Sequence, residues 1–174
     1  MKKSMIVLSC ALLVAQMGLA QTPWLDAVKQ AFTQSIQGLA SFKGTQVSAG
    51  KWNSTMSVPD CDRVFIIQDE ASEVLVLRAE MNVANEGTAT DMMSRLENQV
   101  ALMLPAGEYV RSQTYGGQDH IGYMKTVFDF NSTKMADKQK RPTIEMSAIK
   151  TDAGCMVVIT VFEPYFKNQY TPKF

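Results

Sequence analysis

His120 is the only histidine in the chain, so a hydrolase built on an imidazole base, or a thiol enzyme built on Cys61 or Cys155, would have to use it. Within a strand its neighbour Asp119 does not orient it, because adjacent side chains point to opposite sides. Ser54 and Ser112 offer hydroxyls, yet neither sits in the Gly-x-Ser-x-Gly turn that presents a nucleophile. His120 therefore reads as a solvent-exposed turn residue, and an envelope hydrolase dependent on His120 stands as the enzymatic alternative. No catalytic residue is assigned.

Metal chemistry has as little support. The chain contains no His-x-x-x-His, no Cys-x-x-Cys and no acidic loop with calcium spacing. Thioethers can hold copper(I), but Met56, Met81, Met92, Met93, Met103, Met124, Met135, Met146 and Met156 fall mostly on apolar stripes and read as core filling. Asp69 with Glu70, and Glu145 with Glu163, could in principle serve as acid and base on a glycoside; their turn and edge positions make them solvated carboxylates instead. Gly116-Gly117 lacks the glycine spacing and the following helix of a phosphate cradle. No cofactor and no metal are expected.

The whole composition sets the frame for these residues. The chain has 174 residues, 46% hydrophobic and 20% charged, with 17 basic and 17 acidic side chains, which suits one globular domain. Residues 1–20 have the form of an export signal: Lys2 and Lys3, an apolar run over 5–14, and the small-x-small site Gly18-Leu19-Ala20. Cleavage after Ala20 would leave a single domain over 21–174, in the periplasm or secreted. No nucleic-acid partner is expected, because a nearly neutral chain lacks the clustered cations that displace counterions. The one local basic excess, Lys134, Lys138, Lys140 and Arg141, reads as a solvated loop. Beyond the signal no stretch approaches the ~20 apolar residues of a membrane span. Cys10 leaves with the signal, so Cys61 and Cys155 remain as a pair, and an oxidising compartment predicts a disulfide between them.

Periodicity supplies the elements. Thr22-Pro23 and Asp26 open a helix whose stripe is Leu25, Val28, Phe32, Ile36 and Leu39, ending at Gly38 or Gly44. Alternation from Trp52 to Val58 predicts a first strand after a glycine-containing loop, and residues 63–68 and 73–82 predict a hairpin. Thr88 and Asp91 suggest a capping box for a second helix that Pro105 and Gly107 stop. Residues 108–115 and 121–130 form a second hairpin whose polar first strand suggests an edge or a bound surface. Residues 143–150 and 155–163 form the last, turned by Gly154; its second strand is apolar on both faces and so belongs at the centre of a sheet with cover on each side. The expected fold is α+β, with the order α-βββ-α-ββββ: an antiparallel sheet of six or seven strands with two helices mainly on one face.

Phe42-Lys43-Gly44, Trp52-x-Ser54, Val58-Pro59-Asp60 and a valine-rich terminal hairpin, behind a signal cut before a glutamine, resemble small secreted α+β proteins of Bacteroidetes-type bacteria. The resemblance implies export and this order of elements, and carries no activity.

By elimination the sequence reads as a non-enzymatic binding or interaction domain for an unknown protein or small ligand. The expected binding residues are Tyr109, Arg111, Tyr115 and Tyr123, in the polar aromatic hairpin. A further alternative is a subunit of an envelope assembly, with homo-oligomers allowed, built on the flat sheet or on the aromatic segment after Glu163. That segment is expected to fold back on its own sheet, because a free terminus so aromatic would expose an apolar patch.

Overall fold

The computed structural model describes residues 23–70, 73–115, 124–131 and 141–165. Pro23 at the first helical position and Asp26 in the first turn start α1 (Pro23–Ser35), whose stripe of Trp24, Ala27, Val28 and Ala31 is buried. The helix stops before Ile36, which is exposed, and Gly38 at φ +108° redirects the chain so that Leu39 enters the core from outside the helix. A short 3-10 turn (Ala40–Phe42) then feeds the strands β1 (Lys43–Ser48), β2 (Lys51–Ser54), β3 (Arg63–Gln68) and β4 (Leu75–Val83). The second helix, α2 (Glu86–Met103), is followed by β5 (Tyr109–Tyr115), β6 (Met124–Phe130), β7 (Thr143–Thr151) and β8 (Gly154–Phe162).

The class is α+β with two helices, as the periodicity implies, but the sheet has eight strands and the order is helix, four strands, helix, four strands. The strand that the sequence pattern misses is β1. Its residues are mostly polar and exposed, so it carries no alternation, and Gly44 within it and Gly50 after it give it the composition of a loop. The expected strand over 52–58 is half strand and half loop: β2 ends at Ser54, and the buried Met56 and Val58 tuck back into the core from the connection to β3. The cap of α2 also moves. Asn85, not Thr88, is the N-cap, its Oδ1 accepting the Thr88 N–H at 2.9 Å, and Thr88 lies inside the helix.

All pairings are antiparallel, in the order β1-β2-β3-β4-β8-β7-β6-β5. Each half of the chain is thus a helix followed by a four-stranded meander, and the halves join through their last strands, with Ala79 opposite Ile159. Their first strands, β1 and β5, become the two edges. The central place expected for the strand that is apolar on both faces is where β8 lies.

Alternation sorts the side chains by face. Ile66, Leu77, Ala79, Met81, Ile144, Met146, Ala148, Val157, Ile159 and Val161 point toward the helices and are buried. α2 packs over β4, β7 and β8, and α1 packs on β8 and on α2. The opposite face carries Phe65, Val76, Val158 and Phe162 among the ion pairs Arg63–Glu80, Arg78–Glu80 and Lys125–Glu145. Among the described residues no helix lies there, yet Val76, Val158 and Phe162 on that face are buried, and the Tyr165 ring reaches Phe162 at 5.3 Å between centroids. The rest of the aromatic segment lies outside the described residues, as do residues 1–20. No described helix is long and apolar enough to cross a membrane.

The expected disulfide is not formed: Cys61 and Cys155 are both free thiols. Topology explains the correction. Cys155 lies on β8 opposite Val83 of β4, whereas Cys61 precedes β3, whose pairing places it on the other flank of β4. With β4 between them, two inter-strand steps of about 4.8 Å separate the positions, beyond the ~7 Å that a disulfide can span between Cα atoms.

Candidate functional site

β5 reads Tyr-Val-Arg-Ser-Gln-Thr-Tyr, and the alternation of a strand puts Tyr109, Arg111 and Gln113 at helix-side positions and Val110, Ser112 and Thr114 on the opposite face. Tyr109, Arg111 and Tyr115, three of the four expected binding residues, therefore share one strand, and Tyr109 and Arg111 share its helix-side face. Tyr123 and His120 lie outside the described residues.

The structure gives Tyr109 a packing role. Its ring meets Phe32 of α1 at 5.8 Å and Phe130 of β6 at 5.7 Å, both edge to face, and its hydroxyl donates to the Pro142 carbonyl at 3.2 Å. Burial pushes the phenol well above the ordinary tyrosine range; Arg141 opposes the shift, and Glu108 and Asp129 add to it. Tyr109 anchors the start of β5 between two elements.

Arg111 has a different function, through a residue that motif and spacing do not single out. Glu97, on the buried stripe of α2 with Met93, Leu96 and Val100, is only 3% exposed. Its Oε1 accepts the Thr126 hydroxyl at 2.6 Å, its Oε2 accepts Gln113 Nε2 at 2.6 Å, and Arg111 Nη1 stands 3.6 Å from Oε2. One buried carboxylate thus fastens both strands of the β5–β6 hairpin to α2. Such a charge is tolerable in the interior only when paired and hydrogen-bonded, and here both oxygens are. The signal for it in the sequence is a glutamate spaced four from Met93 and three from Val100, inside an otherwise apolar stripe.

With its helix-side residues tied down, β5 presents its other face and its outer edge. Residues 110–114 are exposed, Val110 to 48%. The strand pairs with β6 in unbroken register over all seven residues. The Asn131 N–H donates to the Glu108 carbonyl, which fixes the phase of the ladder: main-chain groups of Val110, Ser112 and Thr114 point to β6, and those of Tyr109, Arg111, Gln113 and Tyr115 point outward. The opposite edge is built differently, since β1 has register irregularities between Lys43 and Gln46 and between Gln46 and Ser48.

A concavity of about 370 Å³ lies at the rim where β2 ends and β3 begins, lined by Met56, Val58, Cys61, Asp62, Arg63 and Phe65 among others. Its two charged side chains are engaged by the protein itself. Asp62 Oδ2 accepts the Asn82 N–H at 2.6 Å, and Arg63 Nη2 is 3.2 Å from Glu80. Burial, with the charges of Asp60 and Asp62, pushes the Cys61 thiol up to about 12 against a weaker opposing pull from Trp24, so Cys61 is a neutral thiol at ordinary pH and a poor nucleophile.

Of the carboxylates weighed as acid and base, Glu145 and Glu163 are engaged by the protein itself. Glu145 pairs with Lys125 at 2.7 Å, while Glu163 accepts the backbone N–H groups of Leu39 at 2.5 Å and Leu75 at 3.1 Å, closing the end of α1 onto the start of β4. Among the described residues no group of three or more His, Cys, Asp or Glu is placed to hold a metal ion. No family model matches the chain, and neither does any curated protein or solved structure.

Proposed function

We propose that the protein is an exported, non-enzymatic interaction domain that takes up an extended partner chain along β5. The observation that carries this reading is the form of that edge. Edge strands of soluble sheets are normally blunted by bulges, proline, short length or inward charges, and β1 shows the first of these. β5 has seven residues, no glycine, no proline and no bulge, and of these devices it carries only one helix-side charge, Arg111, which pairs with Glu97. The fixed hairpin offers a row of outward main-chain groups on a rigid support, which is the geometry of recognition by strand addition. Residues 1–20 and the resemblance to small secreted proteins support export. The nearly balanced charge favours a peptide partner over a polyanion.

Hydrogen exchange tests the reading. Addition of envelope extract from the cells that make the protein to the chain held dilute as a monomer should slow exchange at Tyr109, Arg111, Gln113 and Tyr115, whose amides point outward. Protection confined to the outer surface of α1 or α2 would overturn it. Intact mass of the natural product should place its first residue at Gln21; a retained leader would overturn the export part.

A further inference from the structure

We infer that the chain which adds to β5 is a second copy of the same protein, paired antiparallel about Ser112. The inference rests on the strand-addition reading and goes beyond it by naming the partner. Its basis is the near symmetry of the strand in both directions: tyrosine, β-branched residue, long polar residue, serine, long polar residue, β-branched residue, tyrosine. An isologous contact requires such a self-complementary strip, because every residue meets the symmetry-related position of its partner. Pairing about Ser112 sets Val110 opposite Thr114, Arg111 opposite Gln113, and the Tyr109 position opposite the Tyr115 position. No like charges come to face each other, which a strand with its arginine at the dyad would have suffered.

The phase of the ladder agrees with that centre. Val110, Ser112 and Thr114 turn their main-chain groups to β6, so across the new seam they form the close, non-hydrogen-bonded pairs. Arg111 and Gln113 then supply the main-chain hydrogen bonds on either side of the dyad. The arrangement also repeats on a larger scale what the chain does internally, where β4 and β8 join two meanders antiparallel. The product is a continuous antiparallel sheet through two molecules, with all four helices carried by the same type of face in each.

Two substitutions read the register directly. Val110 and Thr114 are exposed and outside the Glu97 network, so replacing them should leave folding intact. Val110→Lys with Thr114→Lys places lysines opposite each other twice in the dimer, and should weaken self-association at least tenfold in sedimentation velocity of the chain from residue 21. Val110→Lys with Thr114→Glu places opposite charges there, and should keep the dimer at or above wild-type strength. Ser112→Cys should give a reducible intermolecular cross-link on mild oxidation, since close antiparallel pairs lie about 4.5 Å apart between Cα atoms. Cys61 and Cys155 provide the background in the unsubstituted chain under the same oxidation. A monomer at every concentration, or a dimer indifferent to both double substitutions, overturns self-pairing. If the monomer still gains exchange protection along β5 from envelope extract, self-pairing fails while strand addition stands. Absence of protection there sinks both.

Discussion

Glu97 of α2 and Thr126 of β6 lie 29 residues apart in sequence and meet in a buried hydrogen bond of 2.6 Å. That bond, with Gln113 on the other carboxylate oxygen, holds the edge hairpin against the helix layer. Arg111, which its place in a polar aromatic hairpin suggests as a ligand contact, belongs to this support.

Removing the carboxylate should therefore be costly. Glu97→Leu leaves the fully buried Thr126 hydroxyl without its acceptor and should destabilise the fold by about 1–3 kcal/mol in urea unfolding. Adding Thr126→Val should recover part of the loss, because an apolar pair of matching shape leaves no orphaned group. Equal stability of wild type and Glu97→Leu would show that the network does not hold the hairpin.

Cys61 predicts a specific alkaline sensitivity. Its pKa is raised from an ordinary 9.0 to about 12, so folding favours the protonated thiol. The stabilisation is complete below pH 9 and is lost as pH rises from there toward 12. Melting temperatures of wild type and Cys61→Ala followed upward from pH 8 should converge as this contribution disappears from the wild type. Tyr109 shifts in the same direction and remains in both proteins. Parallel curves would contradict the assignment to Cys61.

Gly154 turns β7 into β8 at φ +140°, and a Cβ there would stand 2.8 Å from the Val83 carbonyl oxygen and 3.0 Å from that of Ala84. Gly154→Ala should cost about 1–3 kcal/mol, or several degrees in Tm. Gly107→Ala is the control, since nothing lies within 4 Å of its added carbon and only the backbone cost at φ +77° remains. Similar losses at both sites would show that the approach of β4 to the turn is not tight.

Glu163 receives the Leu39 and Leu75 amides with separate oxygens. Glu163→Ala should destabilise by about 1.5–3 kcal/mol, the range for hydrogen bonds to a charged group, and should speed exchange first at those two amides. Unchanged exchange there would remove Glu163 as the clasp between α1 and β4.

The apolar strands are legible in the residues alone: β3 over 63–68 and β4 as β-branched and apolar runs bounded by turn residues, and the central place of β8 from its being apolar on both faces. β1 is not, because a polar edge strand such as Lys-Gly-Thr-Gln-Val-Ser buries little and so leaves no pattern. The double helix-plus-meander plan is hidden for the same reason, since its first half shows only three patterned strands. Cysteine parity misleads because it carries no information about β4 lying between Cys61 and Cys155. At the site, the edge character of 108–115 is readable from its polarity. The anchor Glu97 is not, because sequence spacing cannot show which strand a helix stripe will cover.

The most direct test of the edge is a titration of the folded chain, held dilute, with a synthetic Tyr-Val-Arg-Ser-Gln-Thr-Tyr peptide copied from β5, followed by amide NMR. The account predicts shifts and slowed exchange concentrated at Tyr109, Arg111, Gln113 and Tyr115, lost when the chain and the peptide both carry lysine at the Val110 and Thr114 positions. Perturbation along β1 instead, or none anywhere at peptide concentrations in the millimolar range, would contradict it.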